Sequence, residues 1–497
     1  MAVPKVLGIE TEYGISVPGV PDANPITASS GLINGYLAQL SGRTNWDFVD
    51  ESPGQDARGF TVDTGGNIEL ETHLVNAVLT NGARLYVDHA HPEYSSPECR
   101  TPREAVLYDK AGEEVMRRAM RGVQALNPHG PAVVVYKNNS DRKGNSYGCH
   151  ENYLMDRQVP FAKIVAELVP FFVTRQIMVG AGKVGSEAPG VSIRDVPYQL
   201  SQRADFFEEE VGLETTLKRP IINTRDEPHS DSQRYRRLHV IIGDANLSEV
   251  ATWLKLGTTA IVLAMIEDGD LEDLGISIVD PVGSLRRVSW DPALKATMNL
   301  ADGRTMRALD VQWQYLERAQ RWLEREGGEA VGGEHEAGAL IEEWESVLNG
   351  LERDPLELAD RLDWVAKWVL IQGYLERHHL DIADVRAAAL DLQYHDVRPE
   401  RSLYQRLRMR RLTTDEEVER ATVEPPPSTR AYFRGRCLAQ FPGNIAAANW
   451  DSIIFDVGSD PLRRVPMMDP LRGTKELVGS LLDSVGSVTE LLDALGA

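Results

Sequence analysis

The sequence predicts an α+β protein in which a sheet is backed by helices. Short apolar runs of strand length, such as PAVVVYKNN (131–139) and RLHVIIGD (237–244), occur between longer segments whose apolar residues recur at helical spacing. At 497 residues the chain exceeds the size of an average domain. We therefore expect one large core and at least one smaller unit.

The N-terminal part begins with a predicted strand at residues 5–16, followed by a loop and a short helix up to about residue 45. The acidic, glycine-bearing stretch DESPGQDARGFTVDTGGN can bury little apolar surface, and it predicts a flexible loop near residues 50–68. The run around Leu85 then predicts a second strand, which we expect to break at Pro92.

Helices are predicted after this strand. Thr101, Pro102 and Glu104 supply a hydroxyl cap, a proline at the first helical position and a glutamate three residues after the cap. The apolar residues that follow keep helical spacing, so this helix is expected to pack on the sheet. Residues 160–178 and 248–267 predict two mostly apolar helices.

The last third of the chain is predicted to be mainly helical. Residues 307–380 are rich in charge, and the linker-like GGEAVGGEHEAG interrupts them, which predicts an outer helical layer. The sequence EPPP at 424–427 predicts a boundary. We expect a large domain at residues 1–423 and a small C-terminal domain at residues 424–497.

Composition narrows the class of protein. The net charge of −22 disfavours non-specific binding to nucleic acid or to anionic membranes. Cys99, Cys149 and Cys437 form no CxxC motif and are odd in number, so neither a zinc knuckle nor a disulfide framework is predicted. Apolar runs such as TTAIVLAMI are too short to span a bilayer. We expect a soluble, cytoplasmic protein with no nucleic-acid or membrane partner.

Polar residues occupy every second position of the second predicted strand. Because strand side chains alternate between the two faces of a sheet, Arg84, Tyr86 and Asp88 are predicted to share one face. Leu85 and Val87 are predicted to fill the other face.

The first strand has the same pattern, with Glu10 and Glu12 on one face and Ile9, Thr11 and Tyr13 on the other. Carboxylates crowded on a sheet face repel one another unless a cation lies between them. Magnesium suits this arrangement, because it uses few carboxylates together with substrate phosphates. The alternative is that both strands are half-exposed and carry solvated polar faces.

Three later segments add imidazoles and arginine side chains. His150 and Glu151 are predicted to lie on a glycine-bearing loop, and further candidates follow in IINTRDEPHSD and RYRRLHVIIGD: Arg225, His229, Arg234, Arg236, Arg237 and His239. Such groups near acidic metal ligands suit a triphosphate site. The alternatives are structural histidines and a solvated arginine face. No GxxxxGK[ST] or GxGxxG motif occurs in a strand-to-helix setting, which disfavours P-loop and Rossmann nucleotide sites.

Long motifs give a more specific indication. GIETEYG, LTNGARLYVDHAHPEYSSPEC, GNSYGCHENYL, RPIINTRDEPHSD, YRRLHVIIGDANLSE and DPLRG together resemble the Pup ligase and depupylase family, over about residues 5–475. This family is related to glutamine synthetase and other carboxylate-amine ligases. The resemblance implies a glutamine-synthetase-like large domain with a curved, mostly antiparallel sheet backed by helices.

The resemblance also implies roles for individual residues. It implies magnesium ligands at Glu10, Tyr86 and Glu93, nucleotide contacts at Arg84, Ser96 and Trp450, and a catalytic carboxylate at Asp88. From their surroundings alone, His150 and His239 are placed near the metal and Arg225 near phosphate. Glu12 is either a further metal ligand or a structural neighbour.

Two features favour the depupylase branch of the family over the ligase branch: the extra segment between WDFVDESP and LTNGAR, and the sequences DHAHPEYSSPE and EEEVGLETTLKRP. The implied enzyme depends on ATP (or ADP plus phosphate) and Mg²⁺. It deamidates the C-terminal glutamine of Pup and cleaves the isopeptide bond between Pup and lysine, with Asp88 as nucleophile or general base. Pup and pupylated proteins are the implied partners. The alternatives are a Pup–protein ligase and a non-catalytic Pup-binding protein.

Overall fold

The computed structural model describes residues 1–40, 42–49, 51–62, 75–458 and 461–496. The strands in this part of the chain are β1 (Leu7–Glu12), β2 (Gly14–Ser16), β3 (Thr44–Trp46), β4 (Gln55–Asp56), β5 (Phe60–Thr61), β6 (Asn76–Val78), β7 (Arg84–Asp88), β8 (His91–Ser95), β9 (Val134–Tyr136), β10 (Cys149–Asp156), β11 (Lys183–Val184), β12 (Tyr198–Gln199), β13 (Phe207–Gly212), β14 (Arg219–Asn223), β15 (Tyr235–Val240), β16 (Thr297–Asn299), β17 (Thr305–Arg307), β18 (Ile445–Ala448), β19 (Ser452–Phe455) and β20 (Arg463–Pro466).

The helices of the same part of the chain are α1 (Pro25–Leu37), α2 (Pro102–Leu126), α3 (Phe161–Val179), α4 (Glu249–Asp268), α5 (Pro281–Ser289), α6 (Ala308–Glu326), α7 (Glu334–Arg353), α8 (Asp363–His378), α9 (Val385–Tyr394), α10 (Asp415–Ala421), α11 (Ala431–Gln440), α12 (Lys475–Ser484) and α13 (Val488–Leu495). The predicted first strand is thus divided into β1 and β2. The predicted start of α2 is confirmed, because Thr101 Oγ1 accepts a hydrogen bond from the Glu104 N–H at 3.1 Å.

The main sheet has the strand order β15-β10-β1-β8-β7-β6-β3-β18-β19-β20. Its described pairings are antiparallel except for the pairing of β3 with β18. The predicted α+β class with a mostly antiparallel sheet is therefore confirmed. The strands β15, β10, β1, β8 and β7 are consecutive neighbours, so polar residues on one of their faces lie side by side.

The hairpin of β7 and β8 corrects one prediction. The chain turns at His89 and Ala90, whose φ values are 45° and 80°, and Pro92 lies inside β8. Positive φ at both central residues is what a two-residue hairpin turn requires. Pro92 is tolerated in β8 because β1 has already ended opposite it. The Pro92 carbonyl accepts a hydrogen bond from the Tyr13 N–H at 3.0 Å, and proline has no N–H that would need a partner in return.

The helices α3 and α4 form the centre of the largest apolar core, and α6 and α7 pack against them as the predicted outer layer. Among the helices of the described ranges, α4 alone is long and apolar enough to cross a membrane, so the expectation that such runs are too short is wrong. Its apolar window is 100% buried inside the protein. A helix that is apolar all round is typical of the core of a large protein.

The predicted loop near residues 50–68 lies partly outside the described residues, namely at 50 and 63–68. The described part, 51–62, contains the β4–β5 hairpin. This hairpin is bound to the segment that follows β14, through Ala57 N–H to the Thr224 carbonyl (2.8 Å) and Asp226 N–H to the Gln55 carbonyl (2.9 Å).

The segment after the predicted boundary at 424–427 continues the main sheet, because β18 pairs with β3. Its apolar core also includes Trp46 and Val78 from the N-terminal part. The division into domains 1–423 and 424–497 stays a prediction.

A buried ion-pair network fastens this C-terminal segment to the sheet. Glu98 Oε1 lies 2.8 Å from Arg430 Nε, and Glu98 Oε2 accepts a hydrogen bond from Arg434. Burial by itself would raise the pKa of Glu98, but the charges of Arg434 and Arg430 outweigh it and lower this pKa to about 2. Because the folded-state pKa is below the ordinary value, the pairing stabilises the fold above about pH 4.5, and this contribution is lost as pH falls towards 2.

We expect Glu98→Ala to lower the free energy of unfolding by about 3–5 kcal/mol at neutral pH, because it leaves two buried guanidinium groups unpaired. The difference from wild type should shrink below about pH 4.5, where the wild-type carboxylate begins to take up a proton. Urea denaturation at several pH values measures both effects. The control is Asp483→Ala, which removes the exposed partner of Arg436, a residue of α11 like Arg434. This change should cost less than about 1 kcal/mol. Equal losses for the two variants would contradict the prediction.

Candidate active site

The predicted alternation along β7 is present in the structure. Leu85 and Val87 are 0% exposed in an apolar core between the sheet and helices α1 and α2. Arg84, Tyr86 and Asp88 point to the opposite face, where Tyr86 Oη donates a hydrogen bond of 2.6 Å to Glu93 Oε1 on β8. Side chains from five neighbouring strands meet on this face, which we call the front face.

The strand register divides the front-face acids into two groups. Glu10 on β1 is paired with His150 on β10, and Glu12 is paired with Glu93 on β8. Glu10 and Glu93 therefore share a face but lie in different clusters. His150 lies in a strand, so its predicted loop position is wrong. Glu151 points to the other face, where it forms a buried ion pair with Arg175.

The first cluster consists of Glu10, His150 and His239, whose ligand atoms all lie within 4.8 Å of one another. His150 Nδ1 is 3.5 Å from Glu10 Oε2. His239 Nε2 is buried and has no hydrogen-bond partner. A buried ring nitrogen without a partner, aimed into a group of ligand atoms, fits a metal site. The three residues therefore suit a divalent cation.

Asn152 supports this cluster from the second front-facing position of β10. Its amide donates to Glu10 Oε1 at 2.8 Å, and its Oδ1 accepts from Arg237 at 2.7 Å and lies 3.0 Å from His239 Nδ1. If His239 Nδ1 donates this bond, His239 Nε2 is left as a lone-pair ligand. Our sequence interpretation missed Asn152, although the alternation that places His150 on this face also places residue 152 there.

The pKa values of the first cluster favour cation binding. Burial would raise the pKa of Glu10, but the hydrogen bond from His150 and the charge of Arg237 hold it below its usual range. Burial lowers the pKa of His239 well below its usual value, and Arg237 lowers it further. At neutral pH the cluster thus offers one carboxylate and a neutral imidazole at His239.

The second cluster consists of Glu12, Asp88 and Glu93, again with ligand atoms within 4.8 Å. Burial raises the pKa of Glu93 well above its usual value, and the charges of Asp88 and Glu12 raise it further. Glu12 behaves differently: burial opposes ionisation, but contacts with His91 and the Gly148 N–H lower its pKa to about 2. Three carboxylates at this spacing need a cation or a proton between them.

Asp88 lies at the open edge of the second cluster. Its side chain is 27% exposed, and one carboxylate oxygen lies 2.7 Å from His89 Nδ1 at the turn of the hairpin. Ser29 Oγ donates to the Ala90 carbonyl at 2.7 Å and holds this turn against α1. Asp88 is therefore oriented by a neighbour while remaining within reach of a substrate.

A cleft of about 570 Å³ adjoins the first cluster on the side away from Asp88. Its lining includes Gly8, Glu10, Ser96, Arg237 and Trp450. The cleft thus brings together a metal-cluster carboxylate with two of the four residues predicted to contact nucleotide. An apolar recess beside a guanidinium group and the first cluster suits a nucleoside phosphate.

The other two predicted nucleotide contacts do not line this cleft. Arg84 lies between the rings of Trp46 and Tyr86, with its guanidinium carbon 4.0 and 4.1 Å from the ring centroids. Arg225 is half-buried beside the β4–β5 hairpin, and its Nε is buried without a hydrogen-bond partner. Their assignment as nucleotide contacts stays a prediction.

Only part of the predicted arginine group belongs to the site. Arg237 lies 3.9 Å from Glu10 Oε1. Arg234 is an exposed partner of Asp469, and Arg236 lies 3.7 Å from Asp226. Strand alternation explains the separation, because Arg236 and Arg237 are adjacent in β15 and must point to opposite faces.

Comparison with known proteins shows the family of the chain. Residues 5–454 match the family model described as Pup-ligase protein. The chain is 55% identical over 504 aligned residues to a depupylase of Acidothermus cellulolyticus, and 51% identical over 506 to a Pup deamidase/depupylase of Mycolicibacterium smegmatis; each alignment covers 99% of both chains.

Two solved structures have a similar fold. A complex of the prokaryotic ubiquitin-like protein Pup with its ligase PafA gives a TM-score of 0.79 at 31% identity, covering 99% of this chain and 94% of the other. PafA in complex with ADP gives a TM-score of 0.72 at 36% identity, covering 82% and 89%. On the extent of these matches, the chain belongs to the Pup-ligase family.

Proposed function

We propose that this protein is an amidohydrolase that removes the side-chain amide of the C-terminal glutamine of Pup and cleaves the isopeptide bond between Pup and a lysine of a conjugated protein. The observation that carries the proposal is the placement of Asp88, which is partly exposed and in contact with His89, beside the carboxylates of Glu12 and Glu93. The identities of 55% and 51% to proteins named for depupylation support the hydrolase rather than the ligase, whose solved structures are 31% and 36% identical.

The proposed cofactors are ATP, or ADP plus phosphate, and Mg²⁺. Ser96, Trp450, Arg84 and Arg225 are the proposed nucleotide contacts. Glu10, His150 and His239 would hold one cation, and Glu93 and Tyr86 would hold a cation at the second cluster, with Glu12 as a further ligand or a structural neighbour. When bound, the cation would supply positive charge near the oxyanion that develops on the attacked carbonyl, and the phosphates would help to hold the cation in place.

Asp88 is the proposed catalytic residue in both reactions. As nucleophile, its carboxylate oxygen bonds to the carbonyl carbon and the C–N bond breaks, with the leaving nitrogen taking a proton from water. The hydroxide left by that water then opens the resulting anhydride and restores the carboxylate. As general base, it takes the proton of the attacking water and passes it to the leaving nitrogen. In either role His89 keeps the carboxylate oriented through its 2.7 Å contact.

The nucleotide is proposed to organise the site without being consumed. Hydrolysis of an amide in water is downhill, so it needs no phosphoryl transfer to drive it. The carboxylates around Asp88 would otherwise repel one another, so a cation held by the nucleotide would stabilise their arrangement. Amide turnover should therefore require nucleotide while releasing far less than one phosphate per amide.

Three incubations test the proposed function, each with nucleotide and Mg²⁺: Pup ending in glutamine, a Pup–lysine conjugate, and Pup ending in glutamate together with a lysine-bearing protein. We expect ammonia from the first and free Pup from the second, read by mass spectrometry. Conjugate formed in the third with stoichiometric ATP hydrolysis would favour the ligase, the candidate that the fold similarity to PafA keeps open. Pup binding without any of the three reactions would favour a non-catalytic protein.

The proposed partners are Pup and pupylated proteins, in the cytoplasm and without nucleic acid or membrane. A small acidic, largely disordered protein suits a surface that offers apolar pockets and local basic side chains. We propose residues 202–220 and 406–417, in which basic side chains occur among acidic and apolar ones, as candidates for this surface. We propose the boundary at 423/424 as a division of the sequence into two segments. Both segments contribute strands to the main sheet.

A further inference from the structure

The turn of the β7–β8 hairpin holds a histidine against the proposed catalytic carboxylate. His89 directly follows Asp88 in the chain, and His89 Nδ1 lies 2.7 Å from Asp88 Oδ2. An ionised carboxylate has only acceptor oxygens, so Nδ1 carries the proton of this hydrogen bond. The contact does not use the second ring nitrogen, Nε2, for which the reactions described above leave no role.

The backbone at this turn is unusual for the residues that form it. His89 and Ala90 have φ values of 45° and 80°, although glycine or asparagine is preferred at both central positions of such a turn. Ser29 Oγ fixes the turn through its hydrogen bond of 2.7 Å to the Ala90 carbonyl. The ring of His89 is thus held beside Asp88 by an unfavourable backbone conformation, a feature that clusters at functional sites.

His89 lies on the exposed side of the second cluster. Its side chain is 44% exposed and that of Asp88 is 27% exposed, whereas Glu93 is buried. The leaving nitrogen of the isopeptide belongs to a lysine on a folded protein, which cannot enter a buried site. The nitrogen must therefore leave Asp88 on the exposed side, where the ring of His89 is located.

Cleavage of the isopeptide needs a proton on this nitrogen. The lysine amine is strongly basic, with a pKa of about 10.4 for its ammonium form, so its anion is too unstable to leave without a proton. A positioned acid that supplies the proton as the bond breaks typically accelerates such a step by about 10²–10⁴-fold. The site therefore requires a proton donor near Asp88 on the side of the leaving group.

The other acid–base groups of the second cluster are less suited to this task. Glu12 is buried, but its contact with His91 helps to lower its pKa to about 2, so it has no proton to give. Glu93 keeps a proton more readily, because burial and neighbouring carboxylates raise its pKa. It is only 2% exposed, however, and its Oε1 accepts a hydrogen bond from Tyr86. The exposed His89 is the better candidate.

We propose that His89 is the general acid that gives the leaving nitrogen its proton. The inference rests on the proposed function, in which this proton comes from water in the overall reaction, and it makes His89 the group that carries the proton. His89 is then a second catalytic residue, because its Nε2 touches the leaving nitrogen while its Nδ1 orients Asp88.

The proton balance closes for both roles of Asp88. In the nucleophilic route an Asp88 oxygen bonds to the carbonyl carbon, the C–N bond breaks with its electron pair going to nitrogen, and the protonated ring of His89 gives its Nε2 proton to that nitrogen. Water then returns a proton to Nε2, and its hydroxide opens the anhydride and restores the carboxylate. In the general-base route Asp88 takes a proton from the attacking water while His89 gives one to the nitrogen, and the proton on Asp88 returns to His89 through solvent water.

Two substrates that differ only in the leaving amine test the inference. One is a Pup–lysine conjugate, and the other is Pup whose C-terminal side chain forms an amide with p-nitroaniline, a weakly basic amine that leaves with little help from an acid. His89→Asn keeps an N–H in place of Nδ1 and tolerates positive φ, but it cannot transfer a proton. We expect this variant to cleave the conjugate about 100-fold more slowly than wild type and the anilide within about threefold of wild type.

A second variant and a control complete the test. His89→Gly also suits positive φ and lacks the acid, so the ratio of conjugate to anilide cleavage should fall in it as well, at a lower overall activity because Asp88 loses its partner. His335→Asn, at an exposed position on α7, should leave both activities unchanged.

The possible results separate the inference from the function on which it rests. A ratio equal to that of wild type in both His89 variants would overturn the inference, whether the activities are kept or fall together. A common fall would leave His89 as a residue that only orients Asp88. A wild-type protein that cleaves neither substrate would remove the proposed function itself, whatever the variants do.

Discussion

Asp88→Asn is expected to reduce both amide hydrolysis and isopeptide cleavage by about 10³-fold or more, while nucleotide and Pup binding persist. Both proposed roles need a carboxylate oxygen, either to bond to carbon or to accept a proton, and a carboxamide does neither well. Binding should survive because Asp88 does not line the nucleotide cleft. Ammonia release from Pup ending in glutamine measures the loss, and fluorescence anisotropy of labelled Pup measures the binding.

The same substitution should not damage the fold. Asp88 is one of three carboxylates within 4.8 Å, and its charge raises the pKa of Glu93, so removing that charge relieves repulsion. Asp22→Asn, at an exposed position, is the matched control and should retain full activity. An Asp88→Asn protein with activity within tenfold of wild type would exclude Asp88 as the catalytic residue.

The two roles of Asp88 differ in where the oxygen of water ends. In a single turnover in ¹⁸O-water, a general base delivers the label only to Pup. A nucleophile whose anhydride is opened at the aspartyl carbonyl acquires the label itself, and Pup then receives an unlabelled oxygen from the protein. Mass spectrometry of the peptide that contains residue 88 therefore distinguishes this nucleophilic route from the general-base route.

The faces of the active-site strands could be predicted from the sequence because strand alternation is a local property. Each residue of β7 points away from its neighbour wherever the strand lies in the protein, so Arg84, Tyr86 and Asp88 had to share a face. The start of α2 at Thr101 was predictable for the same reason, since a cap and its target N–H are three residues apart.

The membership of the two clusters could not be predicted, because it depends on register between strands that are far apart in the chain. Glu10 meets His150 and Glu12 meets Glu93 only because β1 pairs with β10 on one side and β8 on the other. A shift of one residue in either pairing would send these acids to other partners. Glu12, for which two roles stayed open, is assigned to the Asp88 cluster by this register alone.

The sequence also understated how far the sheet extends. EPPP at 424–427 is a sound local indication of a break, yet β18 pairs in parallel with β3, some 400 residues earlier. Non-local pairing of this kind leaves no short-range pattern.

Glu10→Gln is expected to weaken magnesium-dependent nucleotide binding by about 100-fold while preserving the shape of the side chain. Glu10 is the only carboxylate of the first cluster, and its partner His239 is neutral at pH 7 because burial lowers its pKa well below the usual value. The negative charge that attracts Mg²⁺ must therefore come from Glu10. Titration with a fluorescent ATP analogue, with and without Mg²⁺, measures the change independently of catalysis.

The control for this variant is Glu476→Gln, an exposed position on α12, which should bind nucleotide like wild type. In the Glu10→Gln protein, addition of Mg²⁺ should change nucleotide affinity little. A variant in which Mg²⁺ improves affinity as much as it does in wild type would contradict the placement of the cation at this cluster.

A comparison with His239→Ala identifies the kind of cation. Mg²⁺ prefers oxygen ligands, so losing the neutral imidazole should cost about tenfold, less than losing the carboxylate. His129→Ala, at an exposed position, serves as the control for a lost imidazole. The reverse order, with His239→Ala the more damaging variant, would indicate a metal that favours nitrogen, such as zinc. In that case Zn²⁺ should support nucleotide binding by the wild-type protein better than Mg²⁺ does. The order of the two losses thus tests the chemistry of the site as well as its position.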